Sequence, residues 1–297
     1  MNEPALRHVQ CLDSRGLHRM AYWDWGDDVG AGAGAGAGAE PVLVCVHGLA
    51  RQGRDFDTLA AAMRADYRVV CPDVVGRGES DWLVDPGGYQ IHAYLADMVT
   101  LLARLDAKTV HWVGTSMGGL IGMALAALPV SPIQRLVLND VGPAIDAAGI
   151  ARIASYVGAP LTWGSAGEAA DYLQTISQGF GPHSREQWMA LTKPMLRRSE
   201  AAFRLHYDPA IAVALRQITP QAAAAGETAL WAAYDAIRCP TLLLRGESSD
   251  VLSRATAEAM TQRGPRARLH EFGGVGHAPT LVDAGQVAVL REFLLGP

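Results

Sequence analysis

The stretch HWVGTSMGGLIG, residues 111–122, joins an apolar strand-like run to an apolar helix-like run through one serine set among glycines. Gly114 stands two residues before Ser116, Gly118 two after, and Gly119 directly behind. A serine that only caps a helix needs no such company. Small residues on both sides of it predict a turn so tight that ordinary side chains would collide. The serine then sits in a strained backbone conformation, its hydroxyl projects at the top of a sheet, and a helix N-terminus lies just behind. Ser116 is therefore read as a nucleophile.

The surrounding pattern supplies the sheet. Residues 6–11 and 17–25 read as two strands joined by the turn DSRG (13–16). PVLVCVHG (41–48), RVVCPD (68–73), TVHWVG (109–114) and IQRLVLND (133–140) are short, nearly continuous apolar runs, as expected of strands buried on both faces. Helical spacing follows at 54–65, 91–105 and 117–128, the last stopped by Pro129. Residues 143–235 hold helical stretches and no strong strand run. Alternation resumes with the strand TLLLRG (241–246), a helix near 253–262, the strand ARLHEF (267–272) and a helix near 284–295. The expectation is an α/β protein with a doubly wound, mostly parallel eight-stranded sheet. Its core spans 1–142 and 236–297, and a helical cap is inserted at 143–235. GAGAGAGAGA (30–39) reads as a lengthened loop, which a core tolerates because closure entropy grows slowly with length.

Ligands of such sheets bind past the carboxyl ends of the strands. The polar residues expected there are His47, Asp73, Ser116, Asp140, Asp250 and His277. A serine hydroxyl needs a base, and His277, in the glycine-rich loop FGGVGHAPT, is placed to supply one. The base needs an orienting carboxylate. Asp250, in LLLRGESSDVL, fits the chain order nucleophile, acid, base; Asp140 is the reserve, and Glu247, which leaves its strand earlier, a weaker third choice. Backbone N–H groups of Met117 and Leu49 are the expected oxyanion donors, with His47 bracing the Leu49 loop. DVVGRGES (73–80) lacks the lysine of a phosphate loop and reads as a turn network around Asp73.

Taken together, the HG step, DVVGRGES, GTSMGG, RGESSD and GVGHAP resemble the α/β-hydrolase superfamily with an inserted helical cap, over roughly residues 18–142 and 236–297. The resemblance implies a serine hydrolase, most commonly a carboxylesterase, working through an acyl-enzyme without metal or organic cofactor. It leaves carbon–carbon hydrolases of ring-cleavage dienoates, lactonases, perhydrolases and non-catalytic ligand receptors as alternatives. A serine at 116 argues against the members that use an aspartate nucleophile. The oxyanion loop reads HGLARQG, not the HGGG form.

The substrate is expected to be a small or medium-sized ester or related carbonyl compound. Arg51, Trp82 and Trp163 are candidate substrate contacts, and Tyr156, Tyr172, Phe180 and Trp188 further aromatic candidates, although such residues commonly pack on one another. The chain has 297 residues, 49% hydrophobic and 19% charged, with a formal net charge of −5. Lys and Arg are scattered, which excludes a nucleic-acid partner. Cys11, Cys45, Cys71 and Cys239 form no CxxC and read as small buried thiols in a reducing compartment. MNEPALRHVQ lacks the apolar stretch of a secretory signal, and LIGMALAALPV is too short to span a bilayer. A cytoplasmic protein without a membrane partner is the expectation.

Overall fold

The strands read as buried on both faces are so for a simple reason: their successive side chains alternate between two cores. The computed structural model describes residues 3–26, 41–199, 202–217 and 219–296; the Gly-Ala run at 30–39 lies outside them. In chain order the core begins with the strands β1 (Ala5–Asp13), β2 (Gly16–Asp24) and β3 (Val42–Val46), then α1 (Asp57–Met63) and β4 (Arg68–Pro72). It continues with α2 (Ile91–Arg104), β5 (Val110–Thr115), α3 (Met117–Ala126) and β6 (Ile133–Asn139). Between β6 and β9 lie α4 (Ala147–Tyr156), α5 (Ala166–Ile176), α6 (Arg185–Thr192), β7 (Leu196–Ser199), β8 (Ala202–Leu205), α7 (Ile211–Arg216) and α8 (Pro220–Ala236). The chain closes with β9 (Thr241–Gly246), α9 (Arg254–Gln262), β10 (Arg268–Phe272) and α10 (Ala284–Leu295).

Eight strands form one sheet in the order β1-β2-β4-β3-β5-β6-β9-β10. The β1–β2 and β2–β4 pairs are antiparallel and the other pairs parallel. Val44, Val46, Val70, Trp112, Leu136, Leu138 and Leu243 point to one core, which receives Met98 and Leu101 of α2, Ile121 of α3 and Met260 of α9. Leu43, Cys45, Val69, Cys71, Val113, Val137 and Leu242 point to the other, which receives Leu59 and Met63 of α1 and Leu290 and Phe293 of α10. A period of two with both faces covered gives a sequence with no polar alternation.

The stretch between β6 and β9 differs from its sequence reading in one respect. It contains a short antiparallel hairpin, β7–β8, in which Leu196 faces Leu205 and Ser199 faces Ala202. Four-residue strands carrying Arg197, Arg198 and Arg204 in exposed positions give no alternation signal to read. The last helix of that stretch, α8, lies against α3, and its buried Tyr234 donates its hydroxyl to the Met260 carbonyl at 2.6 Å. Among the described residues, no helix is long and apolar enough to cross a membrane.

Candidate active site

Every polar group of the site hangs from the carboxyl end of a strand. β5 delivers Ser116, whose backbone stands at φ +50° and ψ −114° immediately before α3. A Cβ at Gly114 would overlap the Gly118 carbonyl, and one at Gly118 would overlap the Val46 carbonyl at the end of β3. The two glycines are thus what lets strand, turn and helix meet. A backbone conformation of this kind costs roughly 1–3 kcal/mol. Ile121, Met123 and Leu125 of α3 and Val113 of β5 are fully buried around it, at about 1.5–3 kcal/mol each. The core therefore holds the strain with a wide margin.

β10 delivers the loop bearing His277. His277 Nε2 lies 3.1 Å from Ser116 Oγ, and Nδ1 lies 2.7 Å from Asp140 Oδ2. Asp140 follows β6 directly and is fully buried. Its Oδ1 accepts the Gly246 N–H at 2.9 Å, and its Oδ2 accepts the Ser249 hydroxyl at 2.6 Å. An acceptor-only carboxylate facing Nδ1 requires the proton on Nδ1, which leaves Nε2 free to accept from Ser116.

Asp250, expected to face His277, does not. It lies four residues beyond the end of β9, and the intervening turn carries it outward to Arg152 on α4. Arg152 Nε and Nη2 donate to its two oxygens at 2.5 and 2.8 Å. This pairing holds the Asp250 carboxyl below its ordinary range. The reserve residue, Asp140, is the one brought to the histidine. Glu247, on the same turn as Asp250, has its Oε2 on the Gly274 N–H at 3.1 Å.

The two expected oxyanion donors are oriented by their own peptide planes. The Gly48 carbonyl accepts from His47 Nδ1 at 2.7 Å and from the Arg51 N–H at 3.1 Å. The Leu49 N–H belongs to the same trans peptide and points the opposite way. The Ser116 carbonyl accepts the N–H groups of Gly119 and Leu120, so the Met117 N–H points off the free end of α3. Gly48 abuts Ser116: a Cβ there would stand 3.7 Å from Ser116 Cβ. His47 is fully buried and its Nε2 accepts the Val74 N–H at 2.9 Å. Burial pushes its pKa down to about 3, so the ring is neutral and serves as a brace.

One brace escaped sequence reading. Arg77, fully buried in the DVVGRGES turn, donates from Nε to the Leu49 carbonyl at 2.8 Å. It also donates to Val75 O and Tyr94 Oη, and its Nη2 lies 3.5 Å from Met117 Sδ. It therefore connects the two donor segments. Asp73 behaves as a turn network does, accepting the N–H groups of Gly53 and Glu79 and the indole N–H of Trp23. Burial pushes its carboxyl up to about 7.

The candidate substrate contacts fare unequally. Arg51 lines a cavity of ≈ 40 Å³ with Thr115, Phe180, Leu191 and Ala278. Its guanidinium is held bidentately by Asp55 at 2.6 and 2.7 Å. Trp82 is 44% exposed on the surface. Trp163 packs on Tyr172 at 5.3 Å, and Phe180 stacks on Trp188 at 6.0 Å, as aromatic residues of a packed layer do. Elsewhere, at the β1–β2 edge, Cys11, His18 and Asp97 bring potential ligand atoms within 4.8 Å of one another. His18 Nε2 lies 3.1 and 3.0 Å from the Asp97 oxygens, clasping the hairpin to α2.

A sequence profile of the alpha/beta hydrolase family matches residues 43–290. The chain belongs to this family. A 3-hydroxybutyrate-oligomer hydrolase of Cupriavidus necator is 51% identical over 297 residues, covering 99% of this chain and 98% of that protein. The crystal structure of an alpha/beta hydrolase from Novosphingobium aromaticivorans superposes with a TM-score of 0.85 at 34% identity, covering 99% of both chains. An E-2-(acetamidomethylene)succinate hydrolase, 18% identical, shares the fold at a TM-score of 0.80 over 98% of this chain and all of that one. Within this alpha/beta hydrolase, Arg77 and Arg152 are the site neighbours that sequence reasoning missed. Each acts through a long side chain on a target far away in sequence, and no spacing rule marks such a pair.

Proposed function

We propose that this alpha/beta hydrolase cleaves carboxylic esters through an acyl-enzyme, with Ser116 as nucleophile, His277 as base and Asp140 as the orienting acid. The observation that carries the reading is the unbroken run of hydrogen bonds from Asp140 through His277 to Ser116. Ser116 Oγ attacks the ester carbon while its proton passes to His277 Nε2. The negative charge on the former carbonyl oxygen is met by the Leu49 and Met117 N–H groups, which need no reorganisation because their peptides are already pinned. His277 then gives the proton to the leaving alkoxide. Water, deprotonated by His277, attacks the acyl-serine, and the acid leaves with Ser116 restored.

The elements between β6 and β9 act as the cap. Two bonds support this: the Gly276 N–H donates to Gly179 O at 2.6 Å, and His183 Nε2 lies 2.7 Å from Thr280 Oγ1. Both tie that stretch to the loop of His277. The substrate class follows from the relative that is 51% identical, named for 3-hydroxybutyrate oligomers. The bonds joining such units are esters of a small secondary alcohol, in keeping with the ester chemistry that the family resemblance implies.

The test is hydrolysis of p-nitrophenyl esters of graded acyl length, and of the 3-hydroxybutyrate dimer and trimer, by wild type and Ser116→Ala. A fluorophosphonate probe should add to Ser116 in wild type alone, as read by peptide mass. Turnover retained in Ser116→Ala, or no ester turnover in a wild type that takes up the probe, sinks the ester reading.

A further inference from the structure

The DVVGRGES turn seats a charge where water does not reach it. Arg77 is 0% exposed. Among the described residues its hydrogen bonds all go to neutral groups. Nε donates to the Leu49 carbonyl at 2.8 Å, Nη1 to the Val75 carbonyl at 2.7 Å and to Tyr94 Oη at 3.0 Å, and Nη2 faces Met117 Sδ at 3.5 Å. Tyr89 and Tyr94 turn their rings toward it, with the guanidinium carbon 5.6 and 5.1 Å from the two centroids. A buried charge without a counter-ion is strongly unfavourable, and aromatic faces offset only part of that. A neutral side chain of similar length would fill the same space without it, so bracing alone is a weak reason for a guanidinium here.

The turn that carries Arg77 is clamped on both sides. The Gly78 N–H donates to the His206 carbonyl at 2.9 Å, and the Gly76 carbonyl accepts the Asp208 N–H at 2.8 Å, so Arg77 stands between two bonds to the stretch after β8. Its side chain then touches both residues whose N–H groups are the expected oxyanion donors, Leu49 and Met117. Both segments adjoin Ser116: Met117 follows it in the chain, and a Cβ at Gly48 would stand 3.7 Å from Ser116 Cβ. We propose that Arg77 is a positioning residue with an electrostatic role: it fixes the Leu49 and Met117 segments, and its buried charge stabilises the negative oxygen formed when Ser116 adds to a carbonyl. The proposal rests on the ester-hydrolase reading above. No bond forms or breaks at Arg77. A neutral ester gains little from a nearby positive charge, and an anionic tetrahedral intermediate gains much, because Coulomb interactions are weakly screened where water is excluded. The effect therefore falls on kcat and not on KM.

The experiment measures kcat and KM for p-nitrophenyl butyrate, and the inhibition constant of phenylboronic acid, in wild type, Arg77→Met and Arg77→Lys. The free boronic acid is neutral and becomes a tetrahedral anion when a serine oxygen adds to boron, so it carries the charge of the intermediate. In Arg77→Met, which keeps the length and loses the charge, kcat and boronate affinity should both fall by about 10²-fold, the scale of one lost oxyanion donor, with KM within about twofold of wild type. Arg77→Lys keeps the charge and gives up the fork, and both quantities should stay within about tenfold of wild type. A folded Arg77→Met with unchanged kcat, or a kcat loss that the boronate does not share, overturns the proposal. An Arg77→Lys no better than Arg77→Met also overturns it, because the fork is then a brace alone. If Arg77→Met does not fold, Arg77→Lys carries the test, and a loss beyond about tenfold overturns the electrostatic role. A wild type that binds the boronate and turns over no ester fails the ester reading on its own, and the boronate affinities of the variants still decide the role of Arg77. A wild type that does neither overturns both.

Discussion

Two loops each carry an aspartate past the end of a strand, and they hold it in opposite ways. The loop after β6 presents Asp140 one residue past the strand, fully buried, with Gly246, Ser249 and His277 all bonded to its oxygens. The loop after β9 carries Asp250 four residues out, to a half-open pairing with an arginine of the insert. The first belongs to the sheet and is over-determined by backbone. The second lies where the sheet meets α4 and is held by one flexible side chain. A carboxylate that must keep an imidazole in one tautomer needs the first kind of support.

The comparison breaks first at Ser116, the hydroxyl that His277 reaches. Ser116→Ala should lower ester turnover by about 10⁵-fold or more, as removal of an activated serine does, measured with p-nitrophenyl butyrate. Asp140→Asn comes next, at about 10⁴-fold in kcat. An asparagine oxygen can still accept from Gly246, but its amide then faces His277 Nδ1 and selects the tautomer with the proton on Nε2, which cannot take a proton from Ser116. Unchanged thermal unfolding alongside lost turnover identifies this cause. Asp250→Asn should cost at most about tenfold with the same ester, since an exposed pair carries ~1 kcal/mol or less and 1.36 kcal/mol is a factor of ten. Were Asp250→Asn the more damaging change, the two loops would have to exchange roles.

The last effect is on stability and not on turnover, and it sits on the buried side. His47 has its pKa depressed to about 3 by burial. Between about pH 6.5 and 3 the unfolded chain binds a proton that the folded state refuses, so stability should fall as pH drops through that window. His47→Asn should flatten this acid limb in a plot of Tm against pH. At pH 7 it should cost about 1–3 kcal/mol for the lost buried hydrogen bonds. An acid limb unchanged by the substitution would assign the acid sensitivity to other groups.

Much of this arrangement was legible before any coordinates. The elbow announces itself because three glycines around one serine have a single economical reason, and the collisions expected at Gly114 and Gly118 are the ones found. His277 is legible because it follows the last strand in a loop of small residues. The choice between Asp140 and Asp250 was not. Both follow strands at the same edge of the sheet, and chain order favoured the one that turns away. Only the path of the 247–250 turn, and the presence of Arg152 at its end, separates them. The hairpin β7–β8 stayed hidden because its exposed strands are too short to show a period.

What residue order determined by itself was the set of local geometries: which runs alternate between two cores, where the chain must turn tightly, and which polar groups end up at strand ends. Those follow from side-chain size and burial within a few residues, where the backbone leaves little choice. The tertiary structure decided which of those polar groups meet. A long side chain such as Arg77 or Arg152 spans several ångströms with freely turning bonds, and a loop a few residues longer moves a carboxylate from the buried sheet edge to the surface. Partnership at that range depends on how β6, β9 and the insert are packed, and no local rule of sequence contains it.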